Sequence, residues 1–98
     1  MRLSETEQQQ FIHLTTLYFG QSAYLYLFGS RVDDNKRGGE IDLLVETDGE
    51  FSVQQKLDFL VNAEMTVTQR TIDLIVKTPD SDERAIYKTA KKTGVLLC

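Results

Sequence analysis

The chain has 98 residues, 41% hydrophobic and 27% charged, with a net charge of -4. This length supports one small domain spanning residues 1–98, and an acidic chain with scattered bases argues against general nucleic-acid binding. No apolar run nears the ~20 residues of a membrane helix, no secretory signal is evident, and a single cysteine, Cys98, excludes a disulfide framework and fits a reducing cytoplasm.

In chain order, residues 4–19 predict a helix. Ser4 with Glu7 forms a capping-box pattern. Phe11, Leu14, Leu17 and Tyr18 recur at helical spacing, and Gly20 follows as a stop. His13, the only histidine, cannot make a metal site alone and reads as a surface or interface residue. Residues 23–28 are apolar without alternation, as in a strand covered on both faces. A polar loop follows, and residues 40–46 predict a second strand.

Thr47 to Glu50 reads as a turn. Ser52 with Gln55 is a second capping box, opening a helix to about Ala63 whose buried face is expected to be Val53, Leu57, Leu60 and Val61. Residues 70–77 predict a third strand. Pro79 and Asp80, with Glu83 three positions on, mark the start of a last helix. Ile86 and Ala90 face its inner side, Gly94 stops it, and Val95 to Leu97 form an edge strand or a packed tail. The loop between the first two strands is too short for a crossover helix, so they pair antiparallel. The helix between the second and third makes that pair parallel. The expected class is α+β: a small mixed sheet of three to four strands with helices packed on it.

The chemistry concentrates between Leu27 and Glu46. IDLLV at 41–45 returns as IDLIV at 72–76, each copy holding one aspartate, Asp42 or Asp73, among aliphatics. Glu40 and Asp42, two apart on a strand, project to one face, and Asp73 on the neighbouring strand reaches the same patch. A buried strand rarely carries an ionised carboxylate without a partner or a metal. Three clustered carboxylates repel one another, and a divalent cation relieves this. Oxygen ligands favour Mg²⁺ or Mn²⁺, which commonly also takes substrate phosphates. Gly29-Ser30, directly after an apolar strand, offers close backbone approach and donors to a phosphate. Either feature alone is a weak signal; their order along the chain is the stronger one. Arg31, Lys36 and Arg37 in the loop are open to phosphate contact or to solvation, with Arg31, next to Ser30, counted among the nucleotide-binding residues; Lys88, Lys91 and Lys92 in the last helix read as its solvated face.

That order resembles the nucleotidyltransferase domain of the DNA polymerase β superfamily, and more narrowly the minimal nucleotidyltransferases (MNT). Gly29, Ser30, Asp42 and Asp73 carry the resemblance, which extends over nearly the whole chain. It implies a nucleotidyltransferase fold, a Gly29-Ser30 turn with Arg31 that holds ATP, and a Glu40, Asp42 and Asp73 triad that binds Mg²⁺ (or Mn²⁺) and serves catalysis. It further implies AMP transfer from ATP to a helical HEPN-type protein, this chain acting as the antitoxin of a toxin–antitoxin pair. The chain departs from the family pattern at Glu40, where the family has Asp. The extra methylene moves the oxygens by ~1.5 Å, while a 1 Å error can cost 10²-fold in rate.

Two other readings stay open. One is a nucleotide-binding module, catalytically weakened by Glu40, that acts by complex formation with a helical partner. The other is transfer onto a small molecule, which ranks last because related enzymes use a second domain for the acceptor. Phe11, Tyr18, Tyr24, Tyr26, Phe51 and Phe59 are more apolar surface than so small a chain should bury, so association with a partner or as a homodimer is expected.

Overall fold

The structure is a computed structural model, describing residues 3–28, 41–49, 51–68, 70–81 and 84–98. The elements run α1 (Glu5–Phe19), β1 (Tyr24–Phe28), β2 (Ile41–Glu46), α2 (Val53–Thr66), β3 (Ile72–Lys77), α3 (Ala85–Thr93) and β4 (Val95–Leu96). The strands form one sheet in the order β3-β2-β1-β4. β1 lies antiparallel to both β2 and β4, and β2 and β3 are parallel. The antiparallel β1–β2 and parallel β2–β3 pairings agree with the connections: twelve residues, too few for a crossover helix, separate β1 from β2, and the helix α2 carries the chain from β2 to β3. The tail after α3 is an edge strand, with Leu27 opposite Val95.

Strand alternation sends Ile41, Leu43 and Val45 to one face, where they meet α1 and α2. Phe59 is fully buried there, its ring 6.3 Å from that of Phe11 and 5.8 Å from that of Phe19. The opposite face is covered by α3: Leu44 packs with Tyr87 and Ala90, flanked by Tyr26, Phe28, Ile75 and Ile86. The sheet is therefore sandwiched between two unequal helical layers. β1 is accordingly covered on both sides, except at Tyr24, which is exposed.

Local signals explain the helix ends. Ser4–Glu7 and Ser52–Gln55 both form reciprocal capping boxes, satisfying amides that the first turn leaves without partners. Gly20 closes α1 at φ 98°, a region open to glycine and strained for other residues. At Gly94 the reason is space. A side chain there would collide with the carbonyl oxygen of Ala90 and stand 2.8 Å from that of Leu27, so the absent Cβ lets α3 turn directly onto β1. The α1–α2 pair is tied by Gln55 Nε2 donating to the Tyr18 carbonyl (2.9 Å) and Asn62 Nδ2 donating to Tyr18 Oη (3.0 Å).

Three expectations are corrected. The buried face of α2 is built on Phe59 and Ala63, with Leu60 partly buried, while Val53, Leu57 and Val61 are exposed. Leu17 of α1 is exposed too. The last helix begins at Ala85 with Arg84 as N-cap, not at Pro79-Asp80. The segment before it is a turn in which the Thr78 amide donates to Ser81 Oγ at 3.0 Å. Among the described residues, no helix is long and apolar enough to cross a membrane. Cys98 is exposed at the edge of the sheet. Partial burial pushes its thiol pKa up, and a backbone hydrogen bond with Leu25 works in the opposite direction.

Candidate active site

Asp42 is the second residue of β2. Its neighbours Ile41 and Leu43 are fully buried toward α1 and α2, so Asp42 must point to the α3 side. The same logic fixes Asp73 between buried Ile72 and Leu74 on β3. The parallel register places Asp42 opposite Asp73. Neighbouring strands run ~4.8 Å apart, so the two carboxylates leave the sheet side by side. Their exposures differ for a topological reason. β2 is an inner strand and Asp42 is half-buried, whereas β3 is the sheet's edge and Asp73 is exposed.

The ladder starts just before this pair, where the Ile41 amide donates to the Thr71 carbonyl at 2.9 Å. Phe28, the last residue of β1, is the antiparallel partner of Asp42. Gly29 follows Phe28 in the chain and Glu40 precedes Ile41. Phe28 and Ile41, the described residues on either side of positions 29–40, thus lie next to Asp42. Gly29, Ser30, Arg31 and Glu40 themselves lie outside the described residues, as do Lys36 and Arg37. Of the six residues expected to make up the site, the structure therefore places Asp42 and Asp73, and brings them together.

On the same face, two residues further along β2, Leu44 begins the apolar cluster with Tyr87 and Ala90. This cluster forms a dry wall on one side of the acidic pair. Tyr87 is the residue sequence reasoning missed here, because the helix was expected to start earlier and to face inward through Ile86 and Ala90. At the far end of the strands Glu46 is paired with Lys91 (3.1 Å) and Lys77 (3.6 Å). Pairing along β2–β3 thus runs from two carboxylates in register at one end to Glu46 opposite Lys77 at the other.

The donor set fits a divalent cation. Two hard-oxygen ligands project from one face of rigid strands, and Mg²⁺ commonly binds through one or two carboxylates with phosphates completing its shell. Among the described residues, no group of three His, Cys, Asp or Glu side chains comes together to hold a metal. Asp42 and Asp73 would supply two ligands, and a third, expected of Glu40, lies outside those residues.

A small mixed sheet with helices on both faces, and two aspartates in register at one end, defines a nucleotidyltransferase-type domain. Comparison with family profiles agrees, the family described as "Polymerase beta, Nucleotidyltransferase" matching residues 19–98. The chain belongs to that family. A search of curated proteins found no match. Solved structures with the same fold include the MNT antitoxin complex with tri-AMPylated HEPN toxin of Shewanella oneidensis, at TM-score 0.73 and 16% identity over 98% of this chain and 72% of that one. Another Shewanella oneidensis structure matches at TM-score 0.72 and 11% identity, over 98% of this chain and 72% of that one. A mutant of the toxin–antitoxin MntA–HpeT, with two aspartates changed to glutamate, matches at TM-score 0.73 and 17% identity over 93% of this chain and 72% of that one.

Proposed function

We propose that this chain is a Mg²⁺-dependent nucleotidyltransferase that moves AMP from ATP onto a HEPN-type partner protein, as the antitoxin of a toxin–antitoxin pair, in the cytoplasm. The observation that carries the reading is the register of Asp42 with Asp73, beside the point where Gly29-Ser30 leaves β1. Family membership and the fold shared with MNT antitoxins support it.

In this reading Glu40, Asp42 and Asp73 hold Mg²⁺ (or Mn²⁺), and Gly29, Ser30 and Arg31 take the triphosphate. When bound there, a divalent cation would supply neutralisation of phosphate charge. Asp42, half-buried on an inner strand, is the positionally fixed ligand. Asp73, exposed on the edge strand, faces the incoming acceptor and takes its proton. An acceptor hydroxyl oxygen, in the family resemblance that of a tyrosine, bonds to the α-phosphorus as the bond to the β-phosphate breaks. The wall of Leu44, Tyr87 and Ala90 keeps water from one side of this exchange.

Glu40 favours a second reading. With a longer ligand than the family's Asp, the domain would bind nucleotide and neutralise its partner by complex formation alone. Transfer of label from ATP to a HEPN-type protein separates the two readings.

A further inference from the structure

Helix α2 is apolar on two sides. Phe59 and Ala63 are buried against the sheet. At 100° per residue, Val61 stands ~160° around the helix from both of them. It belongs to an outward ridge of Val53, Leu57, Val61 and Met65, spaced by four residues, 68%, 48%, 55% and 79% exposed respectively. The ridge runs ~18 Å along the helix. Beside it a cleft of about 580 Å³ opens between α1 and α2, lined by His13, exposed Leu17, Asn62 and Thr66 among others. A helix apolar on opposite sides is the pattern of one buried between two layers, and among the described residues the outward ridge is exposed. Ridges of four-residue spacing pack into the grooves of another helix.

Charge selects the occupant. α1 and α2 together carry Glu5, Glu7, Asp58 and Glu64 against one base, Lys56. A second copy docked face to face would oppose acid to acid, which disfavours a symmetric pair. α3, by contrast, carries Lys88, Lys91 and Lys92 and no acid, and it lies on the other face of the sheet.

We infer that the α2 ridge and the adjoining α1–α2 cleft are the docking surface for a helix of the partner protein, one with an apolar stripe flanked by Lys or Arg. This rests on the proposed HEPN-type partner and names the surface that binds it. It places docking on the sheet face opposite Asp42 and Asp73, so the anchor and the acidic pair are separate parts of the molecule.

The test uses the whole chain and a purified HEPN-type partner, with affinity measured by calorimetry and assembly by sedimentation. Leu57→Glu/Val61→Glu, both at exposed positions, should keep the melting temperature and ATP affinity of the parent and weaken partner binding at least 100-fold. Asp58→Lys/Glu64→Lys should weaken it about tenfold and reduce its sensitivity to salt. If the parent binds and both variants bind within twofold of it, the surface is wrong while the partner reading stands. If the parent does not bind the HEPN-type protein, the partner reading itself fails. A parent homodimer that Leu57→Glu/Val61→Glu dissociates, with partner binding unaffected, would assign the face to a second copy and overturn the inference.

Discussion

Asp42 and Asp73 occupy the same rung of the parallel β2–β3 ladder, one half-buried at the centre of the sheet and one exposed at its edge. Two carboxylates so close raise the local negative potential, and an incoming triphosphate adds to it. A cation that bridges both relieves the repulsion. ATP affinity measured by calorimetry should therefore be at least tenfold higher with Mg²⁺ or Mn²⁺ than with chelator. Ser30→Ala should weaken it further by removing a phosphate donor. Equal affinity with and without the metal contradicts the site.

Glu40→Asp shortens one ligand by a methylene, ~1.5 Å, on a scale where 1 Å changes rates by up to 10²-fold. The shorter ligand is the one the family's site is built around. The change should raise the single-turnover rate of transfer, followed by label from ATP appearing on the partner. A lower rate would show that the site is adapted to glutamate.

The contact between Gly94 and the backbone of Ala90 and Leu27 leaves no room for a methyl group. Two of the three nearest atoms are backbone oxygens, which cannot rotate aside. Gly94→Ala should lower stability by about 1–3 kcal/mol, a shift of several degrees in the thermal midpoint of a domain this size. An unchanged midpoint in scanning calorimetry would mean that α3 and β1 do not approach as described.

Phe59 joins α2 to both Phe11 and Phe19 and is fully buried. Phe59→Ala should cost about 3–5 kcal/mol, a large part of the ~5–15 kcal/mol such a domain has. Val61→Ala, two residues away and exposed, should change stability by no more than about 0.5 kcal/mol. Equal losses in urea titrations would contradict the inward and outward faces assigned to α2.

That last pair marks where sequence and structure part. The pairings of β1 with β2 and of β2 with β3 were legible because they follow from connection lengths, and the IDL repeat put Asp42 and Asp73 on neighbouring strands; the place of β4 beside β1 was not. The buried face of α2 was not. Val53, Leu57 and Val61 have the spacing of a core stripe, and periodicity cannot say which of two apolar sides meets the sheet. The start of α3 was missed for a similar reason. Pro79, Asp80 and Glu83 have the composition of a helix start, but Thr78 and Ser81 close a turn on each other and the helix begins only after Arg84. The Gly29-Ser30 turn and Glu40 were read from their order along the chain. The structure adds that the flanking residues Phe28 and Ile41 lie beside Asp42.

The most direct test of the account is the intact mass of the HEPN-type partner after incubation with ATP, Mg²⁺ and either this chain or its Asp42→Asn variant. Asn keeps the shape of the side chain and removes the charge. The account predicts that the parent adds the mass of one or more AMP groups. Asp42→Asn should bind the partner as well as the parent does but transfer roughly 10³-fold more slowly, on the order of 4 kcal/mol of transition-state stabilisation. A partner left unmodified by the parent, yet neutralised equally by both forms, would contradict it and leave a binding module in its place.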